Sequence, residues 1–160
     1  MAIFDVSTLN PGVTRREVFA WACYDFANSG YTTVVLTAVF SAYFVGTVAA
    51  GSAHPTTVWT WLMAISNLMV MLTMPLIGAY ADLRARKKRL LIWSTAGCVA
   101  TTAALALAQR GDIMLAGAAI ISSNFFFMVG MALVAAFLPE IARPEGMGRV
   151  SGWGWSFGYL

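Results

Sequence analysis

Charge is the scarcest property of this sequence. Asp, Glu, Lys and Arg make up 11% of its 160 residues, against about 25% in ordinary soluble domains, while 59% are hydrophobic and the mean hydropathy is +0.73. So little charge cannot coat a water-soluble globule. Histidine is nearly absent too: His54 stands alone, in a polar turn. The two cysteines, Cys23 and Cys98, lie in or beside apolar tracts, so neither a disulfide framework nor a metal-ligand spacing is present and both read as packing residues. No His-Glu-x-x-His and no Gly-x-Ser-x-Gly occurs, which leaves a membrane-embedded enzyme without its usual metal cluster or nucleophile. No nucleotide-binding loop occurs either, and no catalytic residue, metal or cofactor is expected. The opening MAIFDVSTLNPGVTRREV does not read as a signal peptide, because the first long apolar tract begins only near Val18 and is too long for a signal core.

What is there is long uncharged tracts. Residues 26–81, 90–109 and 113–139 contain no Asp, Glu, Lys or Arg. A membrane helix needs about 20 mostly apolar residues. The expected fold is therefore an all-α, multi-pass integral membrane protein with four complete transmembrane helices, at about 19–50, 57–80, 90–109 and 113–138. A fifth begins at about 150 and still runs at residue 160. Residues 1–18 precede the first span. Eleven residues after Arg149 are about half a crossing, so the chain reads as the N-terminal part of a larger protein, with a re-entrant or interfacial helix as the alternative. Nine of the ten Lys and Arg residues fall on one side of the alternating topology, Arg110 alone on the other. The positive-inside rule then places the N-terminus and the loop after the second span in the cytoplasm. A pI near 9.1 does not indicate nucleic acid, because the basic residues flank apolar tracts as membrane anchors do.

Polar residues inside the spans are few. Asp25 sits early in the first span, and at 100° per residue Asp25, Asn28, Ser29, Thr32 and Tyr43 share a stripe. An acid within a membrane span is costly, so it reads either as a substrate or proton site or as an interfacial Asp paired with a nearby Arg. Asn67 and Asn124 each stand about eleven residues into their spans, Asn124 beside Ser122 and Ser123. Such amides line a pathway or bond one helix to another. In the loop Gly78 to Leu90, Asp82 is placed to pair with Arg86 or to accept from N–H groups at a helix end. A plain membrane anchor would explain the basic cluster but not Gly78 or Asp82. Gly148/Gly152 and Gly154/Gly158 are two small-residue pairs at spacing four, which permit close helix crossing.

These residues carry a resemblance. The loop resembles the Gly-x-Leu-Ala-Asp-Arg-x-Gly-Arg-Lys-x-x-Leu signature of the major facilitator superfamily, with Gly78, Ala81, Asp82, Arg86, Lys87 and Leu90 matching. Tyr80, Leu83 and Ala85 depart from it, where Leu, Arg and Gly are usual. Glu140 and Arg149 resemble the acid and base that follow the fourth helix there. Tyr24-Asp25-Phe26-Ala27-Asn28-Ser29 and Phe137-Leu138-Pro139-Glu140-Ile141-Ala142 are similar to the vacuole-effluxer-like branch, although Val134-Ala135 and Ser41 depart from it. The resemblance covers about residues 19–160.

It implies a twelve-helix secondary transporter of two six-helix halves working by alternating access, of which this chain supplies part of the first half. It implies a small polar solute as partner, with amino acids, the cargo of fungal members, as the leading class. Membrane lipid and the rest of the same transporter are the other partners, and nucleic acid is not one. A bacterial plasma membrane is the expected location. Asp25, Asn28, Ser29, Thr32 and Asn124 would line the substrate or proton path. Gly78, Asp82, Arg86, Lys87, Glu140 and Arg149 would form a conformational latch. An ion gradient or the solute's own gradient would supply the energy. A small helical scaffold without transport is the rival, and a membrane-embedded enzyme a more distant one.

Overall fold

A computed structural model describes residues 6–84 and 86–158. Ala85 and the continuation of the last segment through Tyr159 and Leu160 lie outside the described residues. Seven α-helices follow in order: α1 (Arg15–Tyr31), α2 (Phe40–Tyr43), α3 (Pro55–Leu83), α4 (Lys87–Ala104), α5 (Ile113–Ala135), α6 (Leu138–Ile141) and α7 (Met147–Gly158). Two π-helical stretches, Thr32–Ala38 and Phe44–Val48, flank α2. No β-strand occurs among the described residues; one isolated bridge joins Leu9 and Ala142. Among the described residues four helical stretches are long and apolar enough to cross a membrane: Arg15–Val48, Pro55–Leu83, Lys87–Leu107 and Ile113–Ile141. The all-α membrane architecture expected from the uncharged tracts is therefore what the chain forms. The chain divides into two compact units, residues 1–32 with 134–160, and residues 33–133.

In the first unit, α1 starts four residues before the apolar tract does. Thr14 caps it: its Oγ1 accepts from the Glu17 N–H at 3.4 Å, and the Glu17 carboxylate accepts from the Thr14 N–H at 2.8 Å. Two N–H groups that a helix start leaves unpaired are satisfied reciprocally, so the helix extends through Arg15 and Arg16 before the apolar tract begins. Val18 and Ala22 of α1 are buried, and Val18 packs with Leu9, Ala142 and Val150. The segment before α1 is tied down. The Asn10 N–H donates to the Ile141 carbonyl, the Arg143 N–H to that of Thr8, and the Arg143 Nε–H to that of Leu9. The Asn10 side chain donates to the carbonyls of Pro139 and Glu140 at 2.9 and 3.0 Å. These donors serve carbonyls that the short α6 leaves without helical partners. Helix α5 stops at Ala135 and α6 starts afresh with Pro139 in its first turn, because Pro139 has no N–H to donate to the Ala135 carbonyl four residues back and its ring crowds that carbonyl.

Helix α7 lies on α1. A Cβ at Gly154 would stand 2.6 Å from Cζ3 of Trp21, whose indole N–H is held by the Val134 carbonyl at 3.0 Å. Only glycine lets the backbone come this close to a ring that is itself pinned. Of the two small-residue pairs, this one supplies the approach; Gly148 and Gly152 face open space.

In the second unit the π-helical turns replace a regular span. The Val39 N–H donates to Val34 and the Ala49 N–H to Phe44, each five residues back. The run Thr32-Thr33-Val34-Val35 is β-branched, which crowds the preceding turn of an α-helix and weakens it. Phe44 is fully buried against Trp59, ring centroids 5.4 Å apart, in a core with Val48, Ala49, Ala108 and Ala116. The Arg110–Asp112 reversal places Gly111 at φ +93°, a conformation side chains resist, while Asp112 Oδ2 accepts from the Gln109 N–H. A second core of Ala81, Val129 and Leu133 packs under the α3–α4 loop. Helix α3 spans 29 residues, about 43 Å at 1.5 Å per residue and so longer than the ~30 Å hydrocarbon layer. Trp61, Leu72, Leu76, Trp93 and Val99 on α3 and α4 are exposed, as surfaces that meet lipid or further helices are.

Helix bounds exceed the expected spans at both ends of α3 and at the start of α4. Lys87, Lys88 and Arg89 lie within the first turn of α4 although the apolar tract begins only at Leu90. Long basic side chains extend from helical backbone into water, so a helix continues where its apolar sequence has already stopped.

Candidate functional site

The polar face of α1 is the first candidate. Asp25 lies ten residues beyond Arg15, about 15 Å along the helix, and six residues, about 9 Å, beyond Phe19, where the apolar tract begins. It is half-buried, as is Asn28, while Ser29 and Thr32 are exposed. The Ser29 hydroxyl donates to the Asp25 carbonyl at 3.4 Å, which spares the Asp25 carboxylate. That carboxylate takes part in no ion pair among the described residues. The face thus presents a carboxylate, an amide and two hydroxyls within two helical turns. Extending the stripe to Tyr43 assumes an unbroken α-helix, and the seven π-helical residues remove that assumption. Tyr43 instead donates its hydroxyl to the Ala108 carbonyl at 2.9 Å.

The second candidate is Asn124, 3% exposed on α5. Its Nδ2 donates to Ser66 Oγ at 3.0 Å and to Asn67 Oδ1 at 3.3 Å, both on α3. Ser66, wholly buried, passes its own proton to the Ile121 carbonyl at 3.0 Å. The Asn124 amide and the Ser66 hydroxyl both find acceptors on the other helix, so the geometry is that of a bridge between α3 and α5. Nothing in the residue types alone singles out Ser66, the relay at its centre.

The α3–α4 loop departs from the expected pairing. Asp82 Oδ1 binds Lys87 Nζ at 2.9 Å, not Arg86. The Arg86 guanidinium donates to the Tyr80 hydroxyl at 3.3 Å. The physical reason is the way α3 ends: the Arg84 and Arg86 N–H groups both turn back, onto the carbonyls of Tyr80 and Ala81. This folds Arg86 towards Tyr80, two residues before Asp82 on α3, and leaves Lys87, first residue of α4, to meet Asp82. The phenol that engages Arg86 is one of the positions at which the loop departs from the superfamily signature. Gly78 has open space around it.

Glu140 and Arg149 lie in the other unit, Glu140 exposed in α6 and Arg149 exposed in the first turn of α7. Asn10 and Arg143, which bind the leading segment to α6, are not visible as partners in the sequence, where only the turn former Asn10-Pro11-Gly12 marks the place. Among the described residues no three His, Cys, Asp or Glu side chains group as metal ligands.

Residues 43–152 match the family described as "Vacuole effluxer Atg22 like". This chain belongs to the vacuole effluxer Atg22-like family. The match begins at Tyr43, after the Asp25 motif, and includes the α3–α4 loop, Asn124, Glu140 and Arg149. A relative from Bacillus subtilis (strain 168), named "Uncharacterized MFS-type transporter YxiO", is 30% identical over 150 residues, which cover 92% of this chain. The chain spans about a third of that relative's length, 35%. No solved structure matches the chain. As a member of the Atg22-like family the chain is of major facilitator type and multi-pass in the membrane.

Proposed function

We propose that the protein is a secondary transporter, or a portion of one, that moves a small polar solute across a membrane by alternating access. Membership of the Atg22-like family carries this reading, and the kinship to a relative named as a major facilitator-type transporter supports it. The solute class follows from the α1 face. A carboxylate held away from ion pairs, beside an amide and hydroxyls, suits the ammonium and carboxylate of an amino acid, or a proton that travels with it. Asp25, Asn28, Ser29 and Thr32 are the path residues of this proposal, with Asn124 as a stiffener of the α3–α5 pair. Gly78, Asp82, Arg86, Lys87, Glu140 and Arg149 form the latch that distinguishes inward from outward states. The N-terminus and the α3–α4 loop face the cytoplasm of a bacterial cell, by the nine-to-one distribution of basic residues. The rest of the same transporter is the partner that completes the path.

Flux measurements test this. Full-length protein in proteoliposomes, offered a panel of labelled amino acids and other small polar solutes, is expected to carry at least one of them saturably, with accumulation driven by an imposed ion or solute gradient. Correct insertion with no flux above empty vesicles for the whole panel would favour a scaffold.

A further inference from the structure

The α3–α4 reversal concentrates positive charge beyond what an ion pair can use. Five basic residues stand between residues 84 and 89, yet the carboxylate that precedes them in the loop, Asp82, is occupied by Lys87. Arg84, Arg86, Lys88 and Arg89 are exposed, and among the described residues none of them makes an ion pair. Together with Ile92 these four line a cleft of about 450 Å³. Only Arg86 has a side-chain partner, the neutral Tyr80 hydroxyl.

The cleft has a direction. Helix α4 runs into the membrane from Lys87, so Ile92 lies about 4.5 Å deeper along the axis than Arg89. Cations line the cleft at the level where the basic residues leave the apolar tract, and an apolar side chain lines it below them. Ile92 is 60% exposed and Trp93, the next residue, 74% exposed. An indole at this level is what membrane interfaces favour. A carboxylate-bearing protein partner would need the cations alone. A lipid needs both parts, a charged rim for its phosphate and an apolar wall for the start of its acyl chains.

We propose that this cleft is a binding site for the headgroup of an anionic phospholipid. The phosphodiester sits among Arg84, Arg86, Lys88 and Arg89, and the glycerol end lies against Ile92. Arginine suits the task because its planar fork meets phosphate oxygens in pairs. The proposal does not depend on the transport reading, since it rests on the loop's own charge and geometry. It gives the loop a second tie to its surroundings besides the Asp82–Lys87 pair, so that the leaflet's anionic content bears on the position of the α3–α4 hairpin.

The test uses the full-length protein in nanodiscs of phosphatidylcholine with phosphatidylglycerol as the minor component, followed by native mass spectrometry of the lipids retained. The wild type is expected to retain phosphatidylglycerol well above its share in the disc. Each cation near an anionic surface is worth about 1 kcal/mol, so R86Q or K88Q alone lowers the enrichment about five-fold. The combination R84Q/R86Q/K88Q/R89Q removes it, and R110Q, on the α4–α5 turn, leaves it unchanged. The single substitutions carry the test if the fourfold variant does not insert. Retention in proportion to the disc's composition, or enrichment indifferent to R86Q and K88Q, would overturn the proposal. So would a fourfold variant that melts lower in pure phosphatidylcholine while the wild type shows no lipid preference, since the cations would then be meeting carboxylates of the protein itself.

Discussion

Asp25→Asn in the full-length protein is expected to abolish concentrative transport while leaving insertion and expression intact. The substitution keeps the shape of the side chain and deletes both its charge and its exchangeable proton. Asp25 lies six residues, about 9 Å, along α1 from Phe19, where the apolar tract begins, and it is half-buried, so a charge it meets there is screened less than on an open surface. Removing one member of a buried, hydrogen-bonded charge pair costs about 2–5 kcal/mol, a loss of roughly 30-fold or more in affinity for a cationic group. Two measurements on the same variant separate the roles. If Asp25 carries a proton, gradient-driven accumulation is lost while solute exchange between equal pools persists. If it holds the solute's ammonium group, both weaken together. Transport unchanged beyond expression level would end the functional reading of this residue.

Asp82→Asn is expected to lower transport on the order of tenfold with little effect on stability. Asp82 is 67% exposed and Lys87 19% exposed, so the pair is partly solvated, and such pairs contribute about 0–1 kcal/mol to folding. A coupling of 1–3 kcal/mol between two conformations is enough for a change of about 5- to 150-fold. If the pair latches one state, the exchange Asp82→Lys with Lys87→Asp restores part of the activity lost in either single variant. Equal transport by Asp82→Asn and wild type would reduce the loop to a membrane anchor. Because Arg86 is engaged by Tyr80, Tyr80→Phe belongs in the same series as a check that the phenol, rather than Asp82, governs Arg86.

Spans were legible because charge is excluded from hydrocarbon, and a tract of 20 or more uncharged residues leaves few alternatives. Their ends were less so. The apolar count starts the first span near Phe19, yet the Thr14-x-x-Glu17 capping box four residues earlier is written in the sequence and marks the true start of α1. The break at Phe137 had its sign in Pro139. By contrast the π-helical turns on either side of α2 had no clear sign: β-branched residues weaken an α-helix but do not say what replaces it. Those turns are why a stripe counted at 100° per residue is sound from Asp25 to Ser29 and unsound by Tyr43.

Residue types showed which side chains were unusual for a membrane but not which would meet. Asn124 and Asn67 were visible as amides in apolar surroundings. That Ser66 stands between α3 and α5 as their shared partner depends on helix rotation, which no spacing within one helix determines. The choice of Lys87 over Arg86 by Asp82 depends on how two backbone N–H groups close α3. The family match likewise rests on residues from Tyr43 onward rather than on the Asp25 motif. The contribution of that motif to function is therefore the part of the account most in need of a direct measurement.

Ser29→Cys provides it. Ser29 is exposed one turn after Asp25, and in a full-length protein with Cys23 and Cys98 replaced it becomes the sole reporter of what that face meets. Alternating access through this face predicts labelling by a charged, membrane-impermeant thiol reagent added from either side, with added transported solute slowing both reactions. Labelling only by an apolar reagent that dissolves in lipid, unaffected by solute, would contradict the account, because the Asp25 face would then lie against the bilayer rather than along a path for solute.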